Sequence, residues 1–431
     1  MRDPRTSTGA AAAATPTGHY EGVGEQTDQI PPMGTISRRT GRPGEVDSGR
    51  AWATVAAAFM AMFTVFGVAY SFGAFFTPMA AEFGASSGAT SAVYSITAFL
   101  WFSLGIVSGT VADRIGPRRV LAAGAAAMSL GLALTSLIHA LWIAYLTYGL
   151  GVGIGVGCGY VPMVAVVGAW FERRRSIAVG VAVSGIGLGT LTVAPLAAVL
   201  IDRWGWRTTD VALGVASLVI LLGCAAVIER PPAAPASPPG HLRATMRTGQ
   251  FRLLYLSLLL MSFPLAVAFV YLPPSGRRLG ASPVAAAALV GIVGGASILG
   301  RLALGAVADR LGRVRTFQLA TVTMGLSYVL WMISGGYGTL VVFAVMMGIG
   351  YGGYIALSPA VLADLFGLSG LGGTVGAMYT AAGLGALAGP PLAGSIIDST
   401  GGYRWAVGAA LAFALASAVS VLPLRSPGTG R

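Results

Sequence analysis

From residue 51 onward the chain is a succession of apolar runs parted by short polar breaks, each run close to the length that crosses a bilayer. Hydrocarbon about 30 Å thick needs roughly 20 apolar residues per helix. The runs at about 51–75, 89–112, 118–138, 141–167, 174–201 and 207–228 meet that requirement. A Pro-rich, basic stretch at 229–250 follows, and then six more runs at about 251–273, 283–307, 315–334, 338–363, 371–397 and 403–424. The pattern predicts an all-α integral membrane protein of twelve transmembrane helices. They form a six-helix bundle over 51–228, a cytoplasmic linker over 229–250 and a second six-helix bundle over 251–424. Residues 1–50 are rich in Gly, Pro, Thr and Arg without a hydrophobic period, which reads as a disordered cytoplasmic tail; residues 425–431 form a short tail at the other end.

Composition agrees and adds an orientation. Of the 431 residues 55% are hydrophobic and only 10% charged, with mean hydropathy +0.76, against about 25% charged in a soluble domain. The basic residues are all Arg, and with the abundant Ala and Gly this points to a GC-rich bacterial genome and hence to the inner (plasma) membrane. A net charge of +12 could serve nucleic acid, but its distribution speaks for topology: 21 arginines fall on the side of the N-terminal tail and five on the other, leaving Arg301 over. By the positive-inside rule both termini are cytoplasmic. Cys158 and Cys224 lie inside apolar runs, away from any disulfide or metal pattern. His19, His139 and His241 lie in the tail or in loops, and the first 50 residues hold no apolar core of a signal peptide. No nucleophile–base pair, metal cluster or haem-ligand pair falls in the helices, so neither an enzyme nor a cofactor or metal site is expected.

The two halves repeat. GTVADRIGPRR (Gly109 to Arg119) and GAVADRLGRVR (Gly305 to Arg315) stand 196 positions apart. At the same offset Gly180, Gly187, Gly189, Pro195 and Asp202 match Gly376, Gly383, Gly385, Pro391 and Asp398. The charged loops resemble the G-x-x-x-D-R-x-G-R-R signature of the major facilitator superfamily, whose parallel six-helix repeats hold a substrate site between them near the midplane. One reading makes Gly109, Asp113, Arg114, Arg118, Gly305, Asp309 and Arg310 a conformational latch between the halves, with Gly109 admitting a close neighbouring helix. The plainer reading is a topology signal.

AWFERRRSIAVGVAVSGIGLG (Ala169 to Gly189) is more specific. With YSFGAFFTPMAAEFG (Tyr70 to Gly84) and GRLALGAVADRLG (Gly300 to Gly312), it resembles the monocarboxylate transporter family and its bacterial oxalate-type relatives over about residues 51–424. The resemblance implies that Arg301, matching the family's helix-8 Arg, binds the substrate carboxylate. The position argues the same independently. Arg301 replaces Gly105 of the first repeat and lies eight residues, about 12 Å, inside the end marked by Asp309. An Arg at the centre of a membrane helix costs about 2.5–3.5 kcal/mol on insertion scales and normally faces a wet cavity or a partner, and its planar fork matches a carboxylate. The alternative is a side chain that snorkels to the interface. All 15 acids fall in the tail, in loops or at helix ends on this reading, which leaves the substrate as the natural counter-ion.

Two departures narrow the substrate. Animal members carry an Asp four residues before the Arg, where this chain has Ser297, and oxalate-type members use a Lys in helix 11, where this chain has no cation. One guanidinium suits one carboxylate. Tyr70, Tyr160, Tyr351, Tyr354 and Tyr379 are candidates to line the pocket, phenols being donors with an apolar face; Tyr351 and Tyr354, three apart, fall on one helical face. Trp52, Trp142, Trp206 and Trp405 sit at segment ends as interface anchors. The glycine-dense runs in helices 4, 5, 10 and 11 read as helix-packing surfaces rather than phosphate cradles. The expected function is monomeric, rocker-switch transport of a small organic anion, most simply a monocarboxylate, with a proton or counter-anion left open. The alternative is a drug exporter of the same superfamily, which drug-sensitivity testing of a deletion strain separates.

Overall fold

The computed structural model describes residues 49–171, 174–229, 245–367 and 371–424. The proposed N-terminal tail, most of the linker, Arg173 and the C-terminal tail lie outside the described residues. Among the described residues the secondary structure is helical, without strands. We number the spans α1 (Gly49–Phe83, with a turn at Ser71), α2 (Ser87–Ile115), α3 (Pro117–Thr135), α4 (Leu141–Trp170), α5 (175–204), α6 (206–227), α7 (Gly249–Arg278), α8 (Pro283–Leu311), α9 (Arg313–Met332), α10 (Tyr337–Phe366), α11 (Leu371–Thr400) and α12 (Arg404–Val421). Helices α5 and α6 are separate, and Gly205, with φ 77° and ψ 161°, makes the corner between them. Among the described residues eight stretches, with α5 and α6 taken together, are long and apolar enough to cross a bilayer. Helices α2, α3 and α9 complete the set; they carry Arg at the ends that abut the two charged loops.

Two spans run further than their hydropathy predicts. α1 continues to Phe83, because FGAFFTPMAAEF turns a helix after the break at Ser71. α7 continues through Pro273 and Pro274 to Arg278. Proline removes a backbone donor and leaves a carbonyl one turn back without its helical partner. Beside that turn sits Gly73 of α1, where a Cβ would stand 2.8 Å from the Phe269 carbonyl oxygen and 2.9 Å from Pro273.

The packing repeats as the sequence does. α1 lies on α5 as α7 lies on α11, α2 on α4 as α8 on α10, and α3 on α6 as α9 on α12. The two sets of six meet where α2 crosses α11 and α5 crosses α8, with α1 touching α7. At the second crossing Gly187 faces Gly294, each so close that a Cβ would stand 2.7 Å from the other's carbonyl oxygen. The latch glycines are different. A Cβ at Gly109 would make ordinary contact with Val161 at 3.5 Å, and one at Gly305 would meet nothing within 4 Å. The close approach expected of Gly109 is therefore absent, and the intimate contacts lie deeper in the bilayer.

Candidate substrate site

Arg301 projects from the middle of α8 across the junction of the two sets of helices. Its Nη1 donates to the carbonyl oxygen of Val183 on α5 at 2.8 Å, while Nε and Nη2 are buried without a hydrogen-bond partner. The side chain therefore does not snorkel. Its charge is also unpaired: the ion pairs among the described residues are Arg207–Glu82 and Arg313–Asp364, both at helix ends.

Three phenols lie within electrostatic range of the guanidinium, those of Tyr351, Tyr160 and Tyr70. Tyr70 ends the first helical stretch of α1, where the Ser71 hydroxyl bonds the Val68 carbonyl oxygen and the helix turns. Tyr160 stands at a second break, between Gly159 and the Val161–Pro162 start of the next helical stretch in α4. Both residues thus stand at breaks in their spans. Each then meets a phenol from the other set of helices: Tyr70 to Tyr351 at 3.0 Å between oxygens, and Tyr160 to Tyr379 at 3.4 Å. Phe269 of α7 stacks on Tyr70 with ring centroids 3.9 Å apart, and Trp101 of α2 packs edge-on against it at 5.8 Å.

Tyr354 is not among the phenols near the guanidinium, although it lines a small void together with Tyr379. Successive helical residues turn by 100°, so residues three apart still differ by 60°. That angle carries Tyr354 into the interior of the second set, where it stacks on Phe317 at 5.0 Å and lines a small void of about 30 Å³ with Leu258, Pro359 and Met378. We expect Tyr351→Phe to lower transport about tenfold, the loss of one hydrogen bond near a charge, and Tyr354→Phe to leave it within about twofold. Initial uptake rates of the two variants check this pair.

Ser297 is buried and its hydroxyl turns back to the Gly294 carbonyl oxygen, on the helix side packed against Gly352 of α10. Asp113, Arg118, Asp309 and Arg310 are exposed at the ends of α2, α3 and α8, and Arg114, also exposed, is engaged by a neighbour. The opposite end is joined across the halves. The Asp398 carboxylate at the end of α11 accepts from the backbone N–H groups of Ser87 and Gly88 at 3.0 and 3.1 Å. The Tyr271 hydroxyl lies 3.0 Å from the carbonyl oxygens of both Ser87 and Pro390. A carboxylate on a helix N-terminus is favoured by the orphan N–H groups and the dipole.

The repeat mate of Ser87 is Pro283, which has no N–H to offer Asp202. At that corner a cleft of about 280 Å³ opens instead, lined by Asp202, Arg277, Pro283 and Pro78 among others. In the sequence Asp398 stands out only as the repeat mate of Asp202. Its match to Asp202, together with the Ser87–Pro283 mismatch, carried the signal of a lopsided closure.

One further expectation needs correction. Trp206 is no interface anchor: it is 5% exposed and its Nε1 donates to Glu82 at 2.6 Å. Trp142 and Trp405, 61% and 70% exposed, do sit on the outside. Asp210 does lie at a helix end, near the start of α6, but it is fully buried there. Among the described residues no group of three or more His, Cys, Asp or Glu could hold a metal ion, and both cysteines are free.

A buried cation and phenols gathered between two repeated sets of membrane helices define a multi-pass membrane transporter. A sequence profile of the Major Facilitator Superfamily matches residues 57–334 and 254–431, and the chain belongs to that superfamily. It is 31% identical over 364 residues to the MFS-type transporter pynF of Aspergillus niger, spanning 83% of this chain and 84% of that one. It is 30% identical over 385 residues to monocarboxylate transporter 13 of Rattus norvegicus, spanning 88% and 90%, and 31% identical over 389 residues to the rat monocarboxylate transporter 3, spanning 86% and 79%. These relatives are fungal and mammalian transporters. The fold superposes on a bacterial homologue of the human lysosomal transporter Spinster, in an inward-facing, unoccupied conformation, with TM-score 0.70 at 15% identity, covering 86% of this chain and 96% of that one.

Proposed function

We propose that the protein is a secondary carrier of a small organic monocarboxylate, working by alternating exposure of the Arg301 site. The observation that carries this reading is the guanidinium itself. One of its N–H groups is satisfied by Val183, while Nε and Nη2 are buried without a partner among phenols contributed by both sets of helices. Nε and Nη2 form one edge of the guanidinium fork, and a carboxylate satisfies both with two parallel, charge-assisted bonds. The phenols of Tyr70, Tyr160, Tyr351 and Tyr379 are further donors, and Phe269 and Trp101 give an apolar wall to the rest of a small acid. No second cation stands in α11, so one carboxylate is the matched charge.

Because the phenol pairs and the Arg301–Val183 bond cross between 51–228 and 251–424, movement of these halves as rigid bodies would remake the site in each cycle. The distribution of arginine supports both termini being cytoplasmic, and the reading takes the carrier as a monomer in the plasma membrane. In that orientation the Asp398 contacts close the outer end, and the loop charges of Asp113, Arg114, Arg118, Asp309 and Arg310 act as a cytoplasmic latch. Substrate binding speeds exchange by favouring the occluded state over both open ones.

The test is uptake into proteoliposomes of a panel of labelled mono- and dicarboxylates, with and without a pH gradient. Saturable uptake of monocarboxylates is expected. Uptake of dicarboxylates alone, or of no organic acid, would overturn the reading.

A further inference from the structure

Asp210 is the buried ionisable group that the Arg301 site does not use. It lies on α6 one turn inside Arg207, is 0% exposed, and neither of its carboxyl oxygens has a hydrogen-bond partner. Arg207 is within electrostatic range of it but makes its hydrogen bonds elsewhere. Its Nη2 is 2.6 Å from Glu82 Oε1 and 2.8 Å from the Ile138 carbonyl oxygen, and its Nη1 is 2.8 Å from that of Ser136, all outward contacts. Glu82 is held in turn by Arg207 and Trp206. From α4 the group facing Asp210 is Tyr148, and α3 meets this part of α6 with Ser129 and Leu132, neither of which titrates. Two turns further along α6 Ser217 is also buried and unpartnered. An ionised carboxylate with no partner at such a place is far costlier than the neutral acid, and intramembrane acids of this kind serve as proton sites in pumps and transporters.

The position is connected to the substrate site. Tyr148 lies in the π-helical turn Tyr145–Leu150 of α4, a rare irregularity that recurs at functional sites. Its hydroxyl reaches the Val68 carbonyl oxygen at 3.4 Å, just before the break at Ser71. Its ring packs on Phe72 at 5.5 Å, Phe72 on Tyr94 at 6.0 Å, Tyr94 on Trp101 at 5.8 Å and Trp101 on Tyr70 at 5.8 Å. Tyr94 in turn is within electrostatic range of both Tyr148 and Tyr351. A phenol line of Tyr148, Tyr94, Tyr70 and Tyr351, joined by ring packing through Phe72 and Trp101 and by the Tyr70–Tyr351 hydrogen bond at its end, thus runs from beside Asp210 to beside Arg301.

We propose that Asp210 is the proton-binding site of this carrier, taking a proton from water as the neutral acid and returning it to water on the other side as the carboxylate forms, in step with the charge state of the Arg301 site through the phenol line. The proposal rests on the transport reading and deepens it, supplying the acid that Ser297 does not.

Two measurements test it. In purified protein, infrared difference spectra between acid and alkaline pH should show the C=O stretch of a protonated carboxyl in the wild type that is missing from Asp210→Asn and returns, shifted, in Asp210→Glu. In proteoliposomes, a carrier moving one proton per acid accumulates substrate about tenfold per unit of pH gradient. Asp210→Asn, the shape of the protonated acid, should lose that accumulation while keeping substrate exchange without a gradient within about threefold of wild type, and Asp210→Glu should restore it. Should the Asn variant fold poorly, Asp210→Leu fills the same apolar setting. An unchanged infrared band in Asp210→Asn, or gradient-driven accumulation equal to wild type, would overturn the proposal. If the wild type carries no organic acid at all, the transport reading falls, and the infrared band still decides whether Asp210 holds a proton.

Discussion

Arg301→Lys and Arg301→Ala are both expected to abolish carboxylate uptake, to below about 1% of wild type, with folded protein still in the membrane. A hydrogen bond to a charged group contributes about 1.5–3 kcal/mol, so losing a two-bond fork removes about 3–6 kcal/mol, or roughly a hundredfold to ten-thousandfold. Lysine keeps the charge but presents a point rather than a planar fork, and it cannot hold Val183 and a carboxylate with the same geometry. The folded state should tolerate the loss. The guanidinium makes one hydrogen bond and leaves two buried groups unsatisfied, so Arg301→Ala relieves a desolvated charge. We expect its melting temperature to equal or exceed that of wild type. The measurement is initial uptake beside thermal unfolding of the same preparation, and full transport by either variant would remove Arg301 from the mechanism.

Gly394→Val is expected to prevent closure at the Asp398 end and so to stop turnover. A Cβ at Gly394 would stand 2.5 Å from both the backbone N and the Cα of Gly88, where α11 crosses α2, and would also strike the Tyr271 hydroxyl. Backbone cannot step aside as a side chain can, so the helices must part and Asp398 must release Ser87 and Gly88. Overpacking of this order costs about 1–3 kcal/mol, which shifts a two-state equilibrium roughly five- to a hundredfold. Spin labels at Ala81 and Thr400, both exposed, should report a longer distance distribution in the variant. An unchanged distribution with wild-type transport would show that this crossing is not the gate. Gly205→Ala strains the corner between α5 and α6 at a positive φ but leaves the gate intact, and serves as a control for general destabilisation.

Much of the architecture is visible in the sequence for a simple reason. Hydrocarbon offers no hydrogen bonds, so an apolar run of sufficient length is helical whatever its neighbours are, and the repeat at an offset of 196 declares which helices correspond. Arg301 is visible for the same reason, because a charge in a run that otherwise excludes charge must have a use. The ends of helices were less legible. Pro273 and Pro274 look like a stop, yet α7 passes through both. The phenols were legible as a set but not as partners. Nothing local distinguishes Tyr351, bonded to Tyr70 across the halves, from Tyr354 stacked on Phe317, since which 60° sector of α10 faces the junction depends on how the helix is rotated in the bundle.

The sequence by itself determined the all-helical membrane class, the paired halves and the place of Arg301 within an apolar run, because each follows from the solvent and from spacing along one helix. Tertiary structure alone decided that Arg301 grips the Val183 carbonyl oxygen, that Asp398 caps α2 while Pro283 denies Asp202 the same contact, and that Asp210, near the start of its helix, turns inward without a partner. These depend on which backbone groups and faces of separate helices meet, a matter of rotation and crossing angle that no single stretch of residues encodes.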